Sequence, residues 1–178
     1  ESGCQWIFIG IESISEKNLA QMRKSFNKVK QYKGSFKKIH DAGINIFGSF
    51  IFGLAEDDKN VFKDTVDFAI DAKLDAANFY ILTPLPGTKL FQEMKDAGRL
   101  LHTEWDKYDA NHVVFKHPKL TSEELLSGLI FAYKYFYSIS SISKRMLRTG
   151  HKRLVQSLIL NHGRFLRRKR FETICRME

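Results

Sequence analysis

Residues 44–54 read INIFGSFIFGL, an apolar run interrupted only by Asn45, Gly48, Ser49 and Gly53. Apolar residues fall on both alternating faces of this run. A strand of that kind is covered on both sides, as parallel strands between layers of helices are. The flanks agree. Upstream, a helix predicted over Ser35 to Ala42 ends at Gly43, which suits the left-handed position after a helix. Downstream, EDDKNVFKDTVDFAIDAKL (residues 56–74) reads as a helix with acids in its first turn, complementing the macrodipole.

The same alternation extends outward. Trp6 to Ile11 reads as a strand. SISEKNLAQMRKSFNKV (residues 13–29) reads as a helix, with Ser13 and Glu16 at capping-box spacing and Leu19, Met22 and Phe26 at helical intervals. On the other side, AANFYIL (residues 76–82) reads as a third strand, TPLPGT (83–88) as a turn, and Lys89 to Ala97 as a short helix closed by Gly98. Strand and helix in strict alternation imply parallel strands joined by right-handed crossovers. The fold class is therefore α/β, an open sheet or part of a (β/α) barrel. Three such strands leave two apolar edges, so a missing N-terminal half or a second copy of the chain is expected to cover them. A chain opening on Glu1, already close to strand-like sequence, also suggests a fragment of a longer protein.

Beyond about residue 100 the alternation stops. Residues 102–125 read as loop, with a short extended piece over Val113 to Phe115 and Pro118 as a stop. Thr121 or Ser122 then caps a long helix running through EELLSGLIFAYKYFYSI (residues 123–139), and an amphipathic helix is expected over about His151 to Phe171. Residues 1–100 thus form the α/β part, and 101–178 a loop with a helical C-terminal extension. The net charge of +9 belongs to that extension, because Lys144 to Glu178 carries eleven Lys and Arg against two acids. No apolar run approaches the length of a membrane span, no secretory signal opens the chain, and two cysteines make no disulfide framework. A cytoplasmic protein is expected.

In parallel α/β sheets, ligands gather at the carboxyl ends of the strands. Those ends here are GIES (Gly10 to Ser13), FGLAED (Phe52 to Asp57) and TPLPGT (Thr83 to Thr88). Each alone has a structural reading: Ser13 and Glu16 as a helix cap, Asp57 likewise, the prolines as a turn. Together, at equivalent strand ends, they point to one ligand site. The six histidines show no metal-ligand spacing. Asn78 and Tyr80 alternate on one side of the third strand and are candidate substrate contacts. The aromatics between Phe131 and Tyr137 read as packing, and Trp105 with Tyr108 as a lid or a surface anchor.

The succession resembles the second half of a radical S-adenosylmethionine enzyme core, strands four to six of its (β/α)6 partial TIM-like barrel. GIES with SEKNLAQMRK resembles the fourth strand and its helix. Ser49 to Glu56 (SFIFGLAE) is similar to the family's G-x-I-x-G-x-x-E stretch on strand five, with Ser49 in place of the first glycine. FYILTPLPGTKLF resembles strand six and its Pro-Gly-Thr turn. The tail, with Trp105, Tyr108, Asp109, VVF (113–115) and LTSEEL (120–125), is similar to the subgroup with a cobalamin-binding domain ahead of the radical domain.

The resemblance implies that Glu12 and Ser13 contact the ribose or methionine end of S-adenosylmethionine. Ile51 and Gly53 would line the adenine, Glu56 would brace that loop, and Thr83 and Pro84 would close the strand-six side. The family's C-x3-C-x2-C loop, which ligates a [4Fe–4S] cluster, is absent, and Cys4 and Cys175 cannot replace it. The cluster ligands, and any cobalamin site, would then lie outside this chain. No metal ligand is assigned within it, and alone it would not cleave the cofactor. The parent's chemistry is expected to be methyl transfer or rearrangement at an unactivated carbon of a small-molecule or lipid-like substrate.

Two other readings stand beside it. One is a non-catalytic α/β module whose basic C-terminal helix binds anionic membrane or nucleic acid. Nucleic acid is not the expected partner under the leading reading. The other is an unrelated α/β enzyme fragment using the strand-end carboxylates as acid and base.

Overall fold

The structure, a computed structural model, describes residues 3–146, 159 and 161–164. Three parallel strands, β1 (Trp6–Glu12), β2 (Asn45–Phe52) and β3 (Ala76–Ile81), form one sheet in the order β1-β2-β3. Between them lie α1 (Glu16–Gln21), α2 (Val29–Asp41) and α3 (Val61–Asp71); α4 (Lys89–Asp96), a 3-10 turn (Trp105–Lys107), α5 (Ser122–Phe136) and α6 (Ile139–Met146) follow. The α/β class and the parallel sheet are as the sequence predicts. The amphipathic helix expected over 151–171 lies largely outside the described residues, of which 159 and 161–164 are helical.

Alternation along the strands separates two faces. Ile46, Phe50, Phe52, Phe79 and Ile81 turn to one side and are fully buried against Val66 of α3 and Leu125, Leu129 and Phe136 of α5. The aromatic rings there interlock, with Phe50 and Phe52 each stacked on Phe79 at 5.6 and 5.8 Å. Phe8, Phe47, Ile51 and Tyr80 occupy the other side and stay partly or wholly exposed. Among the described residues the helices α3 and α5 cover one face, and on the second Arg164 lies over the Phe47 ring.

Several boundaries differ from the sequence reading, each for a local reason. Helix α1 is capped by Ser15, whose hydroxyl accepts from the Asn18 N–H; Ser13 accepts from the Ser15 N–H instead. It ends at Gln21, before Arg23 takes a φ of +57°. Helix α2 starts at Val29, six residues earlier than predicted, behind a Lys28 cap that makes no side-chain bond and so leaves no signal in the sequence. Residues 56–58 precede α3 rather than forming its first turn. At α5 the capping box of Thr121 and Glu124 is complete, and the helix stops at Phe136 before α6 begins.

The expectation of two unpaired edges is corrected at β3. Its outer backbone groups are met by α5 and its C-cap residue: the Tyr137 hydroxyl exchanges hydrogen bonds with Ala77 N–H and C=O at 3.1 and 2.7 Å. Tyr133 does the same with Phe79 at 3.2 and 3.1 Å. The Ala110 carbonyl takes the Ile81 N–H at 2.8 Å. Two tyrosines four residues apart on a helix thus stand in for a neighbouring strand, ending the sheet on that side. Tyr137→Phe would strand both Ala77 groups, each costing about 1–3 kcal/mol when buried. A loss of roughly 2–3 kcal/mol of stability, read as a lower urea midpoint, is expected; an unchanged midpoint would show that the hydroxyl is not what caps the edge.

The opposite, amino end of the sheet is closed by a second polar device. The Asp75 carboxylate accepts from the Ile46 N–H at 2.8 Å and pairs with His40 Nε2 at 3.0 Å, tying α2 to the strands. The carboxyl ends, where the strand-tip residues lie, are free of that scaffolding.

Candidate functional site

At the carboxyl end of β1 the chain breaks sharply. A register irregularity lies between Gly10 and Glu12, and the Ser13 N–H donates to the Ile11 carbonyl at 2.8 Å, making Glu12 the centre of a three-residue turn. Glu12 holds a φ of +66°. That left-handed conformation costs a non-glycine residue roughly 1–2 kcal/mol, and strain of this kind tends to gather where ligands are held. The turn folds the carboxylate back over the strand, where a Cβ on Gly10 would lie 2.5 Å from Glu12 Oε1. Gly10 is thus the residue that lets the carboxylate sit there. Lys24, from the loop after α1, meets it at 2.7 Å, and the Glu12 side chain is 13% exposed.

Gly10 pairs in register with Ser49, and Ser49 with Asn78. One polar rung therefore crosses the open face beneath the Glu12–Lys24 pair. The next rung pairs Ile51 with Tyr80. Asn78 Nδ2 donates to the Tyr80 hydroxyl at 2.6 Å, and Asn78 Oδ1 accepts from Arg164, whose guanidinium lies 4.8 Å from the Phe47 ring centroid. The candidate substrate contacts Asn78 and Tyr80 thus share the open face with Ile51, already held by an internal network.

The loop after β2 is braced from two sides. The buried Asp57 carboxylate accepts from Gly53 N–H at 2.9 Å, Leu54 N–H at 3.0 Å and Asn18 Nδ2 at 2.8 Å, while Asn18 Oδ1 takes the Glu56 N–H at 3.1 Å. On the outer side, His117 Nε2 donates to the Leu54 carbonyl at 2.8 Å while Nδ1 accepts from the Lys119 and Leu120 N–H groups. Burial lowers the His117 pKa, which keeps the ring neutral in that role. Gly53 has a φ of +88°, and a Cβ there would come within 3.0 Å of Phe115. Glu56 is exposed with its side chain 3.6 Å from Lys119, so Asp57 supplies the side-chain brace. At the third tip, Thr83 donates to the Ile81 carbonyl at 3.2 Å and Pro84 is buried.

Sequence reasoning did not single out Lys24 or Asn18, and it gave Asp57 only a capping role. Asn18 shows its role only in the structure, where the buried amide needs partners and finds them in Asp57 and Glu56. Lys24 sits in a run with Arg23, Lys28 and Lys30, where nothing local distinguishes it.

Burial raises the Asp57 pKa to about 6, against the three N–H donors that lower it. A carboxyl raised in the folded state stabilises the fold most below its unfolded value near 4. That contribution fades as pH rises through about 6. Two units correspond to about 2–3 kcal/mol. Wild type should therefore lose more stability than Asp57→Asn between about pH 4.5 and 7.5; parallel urea midpoints for the two would refute this.

Among the described residues no group of three or more His, Cys, Asp or Glu side chains could hold a metal, and Cys4 is exposed. Also among them, no helix is long and apolar enough to cross a membrane.

Parallel strands with helices against one face and polar groups at their carboxyl ends place the chain among the α/β proteins. The chain is related to the radical S-adenosylmethionine proteins, bearing out the resemblance in its motifs. It is 40% identical to bacteriochlorophyllide d C-12(1)-methyltransferase of Chlorobaculum tepidum over 145 residues, 82% of this chain and 31% of the relative. It is 30% identical to the C-8(2)-methyltransferase of the same organism over 139 residues, 78% and 30% of the two chains. It is also 31% identical to the anaerobic magnesium-protoporphyrin IX monomethyl ester cyclase of Cereibacter sphaeroides over 137 residues, 77% and 22%. The chain thus spans about a third or less of the curated relatives it matches. No family model matches it.

Proposed function

We propose that the chain is the cofactor- and substrate-lining segment of a radical S-adenosylmethionine methyltransferase whose substrate is a cyclic tetrapyrrole. The observation that carries the cofactor reading is the Glu12–Lys24 pair held over Gly10 at the strand tips. S-adenosylmethionine presents ribose hydroxyls, an ammonium, a carboxylate and an adenine, and when bound it supplies the methyl group and the radical-initiating chemistry. Glu12 would accept hydrogen bonds from the hydroxyls or ammonium, and Lys24 would pair with the carboxylate. Ser13 supports this turn. Ile51 and the backbone at Gly53 would lie along the adenine, in a loop whose position Asp57, Asn18 and His117 hold. Thr83 and Pro84 would close the β3 side. Asn78 and Tyr80 would face the substrate across the open side.

The open face would then be the inner wall of a partial barrel. The uncovered edge of β1 would pair with a strand from the rest of the parent, whereas the tyrosines would end the barrel at β3. The residues described here do not fit an iron–sulfur cluster, so its ligands are assigned to the remainder of the protein, as is any cobalamin site. The names of the relatives support the tetrapyrrole class of substrate.

The reading is tested in the longer protein that joins this segment to a C-x3-C-x2-C loop. Reconstituted anaerobically and reduced, it should release 5′-deoxyadenosine or S-adenosylhomocysteine from S-adenosylmethionine. Release of neither would end the proposal.

A further inference from the structure

Beside the β3 tip lies a groove of about 540 Å3 that the cofactor reading does not use. Its walls include Phe91 of α4, Leu100, Leu101 and Trp105 of the 3-10 turn, with Lys95 and His102 set among them. Among the described residues no acidic side chain lines it. Trp105 is 55% exposed and Leu101 41%, large areas for apolar side chains to leave in water.

The groove is preformed. Trp105 is flanked by Phe91, with centroids 6.1 Å apart, and by Tyr108 at 5.1 Å. The Tyr108 hydroxyl donates to the His102 carbonyl at 2.7 Å. The strand-like floor is pinned through Leu101 N–H to the Val114 carbonyl at 3.0 Å and Lys116 N–H to the Arg99 carbonyl at 2.7 Å. His102 Nδ1 accepts from the Glu104 N–H at 3.4 Å, so in the neutral ring Nε2 carries the proton. Among the described residues neither that Nε2 nor the Lys95 ammonium has a hydrogen-bond or ion-pair partner.

Flat aromatic and aliphatic walls with two donors and no acid complement one kind of ligand: a large planar ring carrying carboxylate arms. We propose that this groove binds the tetrapyrrole substrate, with the ring against Trp105 and Leu101 and a carboxylate arm met by Lys95 and His102. This rests on the substrate class proposed above and adds the site where the ring docks. The volume falls within the range of small-molecule pockets, and the groove lies at the same end of the sheet as the Glu12 turn.

The test uses zinc protoporphyrin IX, whose fluorescence anisotropy and Soret band report binding to the full chain. Lys95→Glu should weaken the diacid by about three- to tenfold, more at low salt, as expected for charge reversal at an exposed contact. It should leave the dimethyl ester of the same porphyrin unaffected. Trp105→Ala should weaken both, by about tenfold or more if Trp105 anchors the ring. Lys38→Glu, the same charge change on the exposed side of α2, should weaken neither. Equal binding by all variants would mean adsorption elsewhere and would overturn the proposal, as would no binding at all. Shielding of Trp105 from acrylamide by self-association of the ligand-free chain would assign the groove to a second copy and would also overturn it. The two readings fail separately: a longer protein that binds the porphyrin but not S-adenosylmethionine would count against the cofactor reading alone, and one that binds S-adenosylmethionine but not the porphyrin against this one alone.

Discussion

Arg145→Ala is expected to lower the stability of the chain by about 3–5 kcal/mol. Arg145 is 2% exposed, and its fork is spent mainly on backbone oxygens. It donates to the carbonyls of Leu74 and Asp75 just ahead of β3, to the Phe136 carbonyl at the end of α5, and to Asn161 Oδ1, all at 2.9–3.0 Å. The guanidinium also lies 3.9 Å from the Phe136 ring centroid. Removal orphans several buried acceptors at once, each worth about 1–3 kcal/mol, and water entering the space would recover part of that. Burial pulls the Arg145 pKa down to about 10, so the side chain stays charged at neutral pH. Arg145→Lys should recover only part of the loss, because an ammonium cannot reproduce the planar fork. Thermal midpoints of the three proteins check this, and a variant as stable as wild type would refute it. Arg145 works at the amino end of β3, so its loss acts on the fold and not on the strand tips.

Glu12→Gln should have the opposite profile, with stability nearly kept and cofactor binding lost. The substitution retains size and the left-handed turn while removing the charge that pairs with Lys24. A charge-assisted hydrogen bond to a ligand is worth about 1.5–3 kcal/mol, so a ten- to hundredfold weaker Kd for S-adenosylmethionine is expected, with roughly 1 kcal/mol or less lost from the fold. Lys24→Met should weaken the cofactor's carboxylate contact in the same way. A decisive pattern is a raised Kd with an unchanged melting midpoint. Equal loss of both would make Glu12 a structural residue, and loss of neither would remove it from the site.

The strands were legible because apolar runs bounded by Gly43, Gly53 and the Pro84–Gly87 turn leave few alternatives, and their strict alternation with helices dictated a parallel sheet. Local caps were legible where both partners of the bond lie within four residues, as at Thr121 and Glu124. The start of α1 was misplaced by two residues because two serines compete there, and the strained turn at Glu12 decides between them. What the sequence could not display are bonds between distant residues. Asp57 reaches Asn18 across 39 residues, and Tyr133 and Tyr137 reach β3 across 54 and 60. These bonds turn an apparent helix cap into the brace of the loop after β2, and an aromatic stripe into the closed edge of the sheet. Of the candidate site, the three strand tips were visible in advance; Lys24 was not, because only the fold brings it onto Glu12.

The central claim is that three strand ends surround one molecule of S-adenosylmethionine. Backbone hydrogen exchange on the reconstituted longer protein, with and without the cofactor, tests it directly. The account predicts simultaneous protection of the amides of residues 10–13, 53–57 and 82–83, with little change at residues 74–76 on the opposite end of the sheet. Protection absent from these three segments, or confined to the amino ends of the strands, would contradict it.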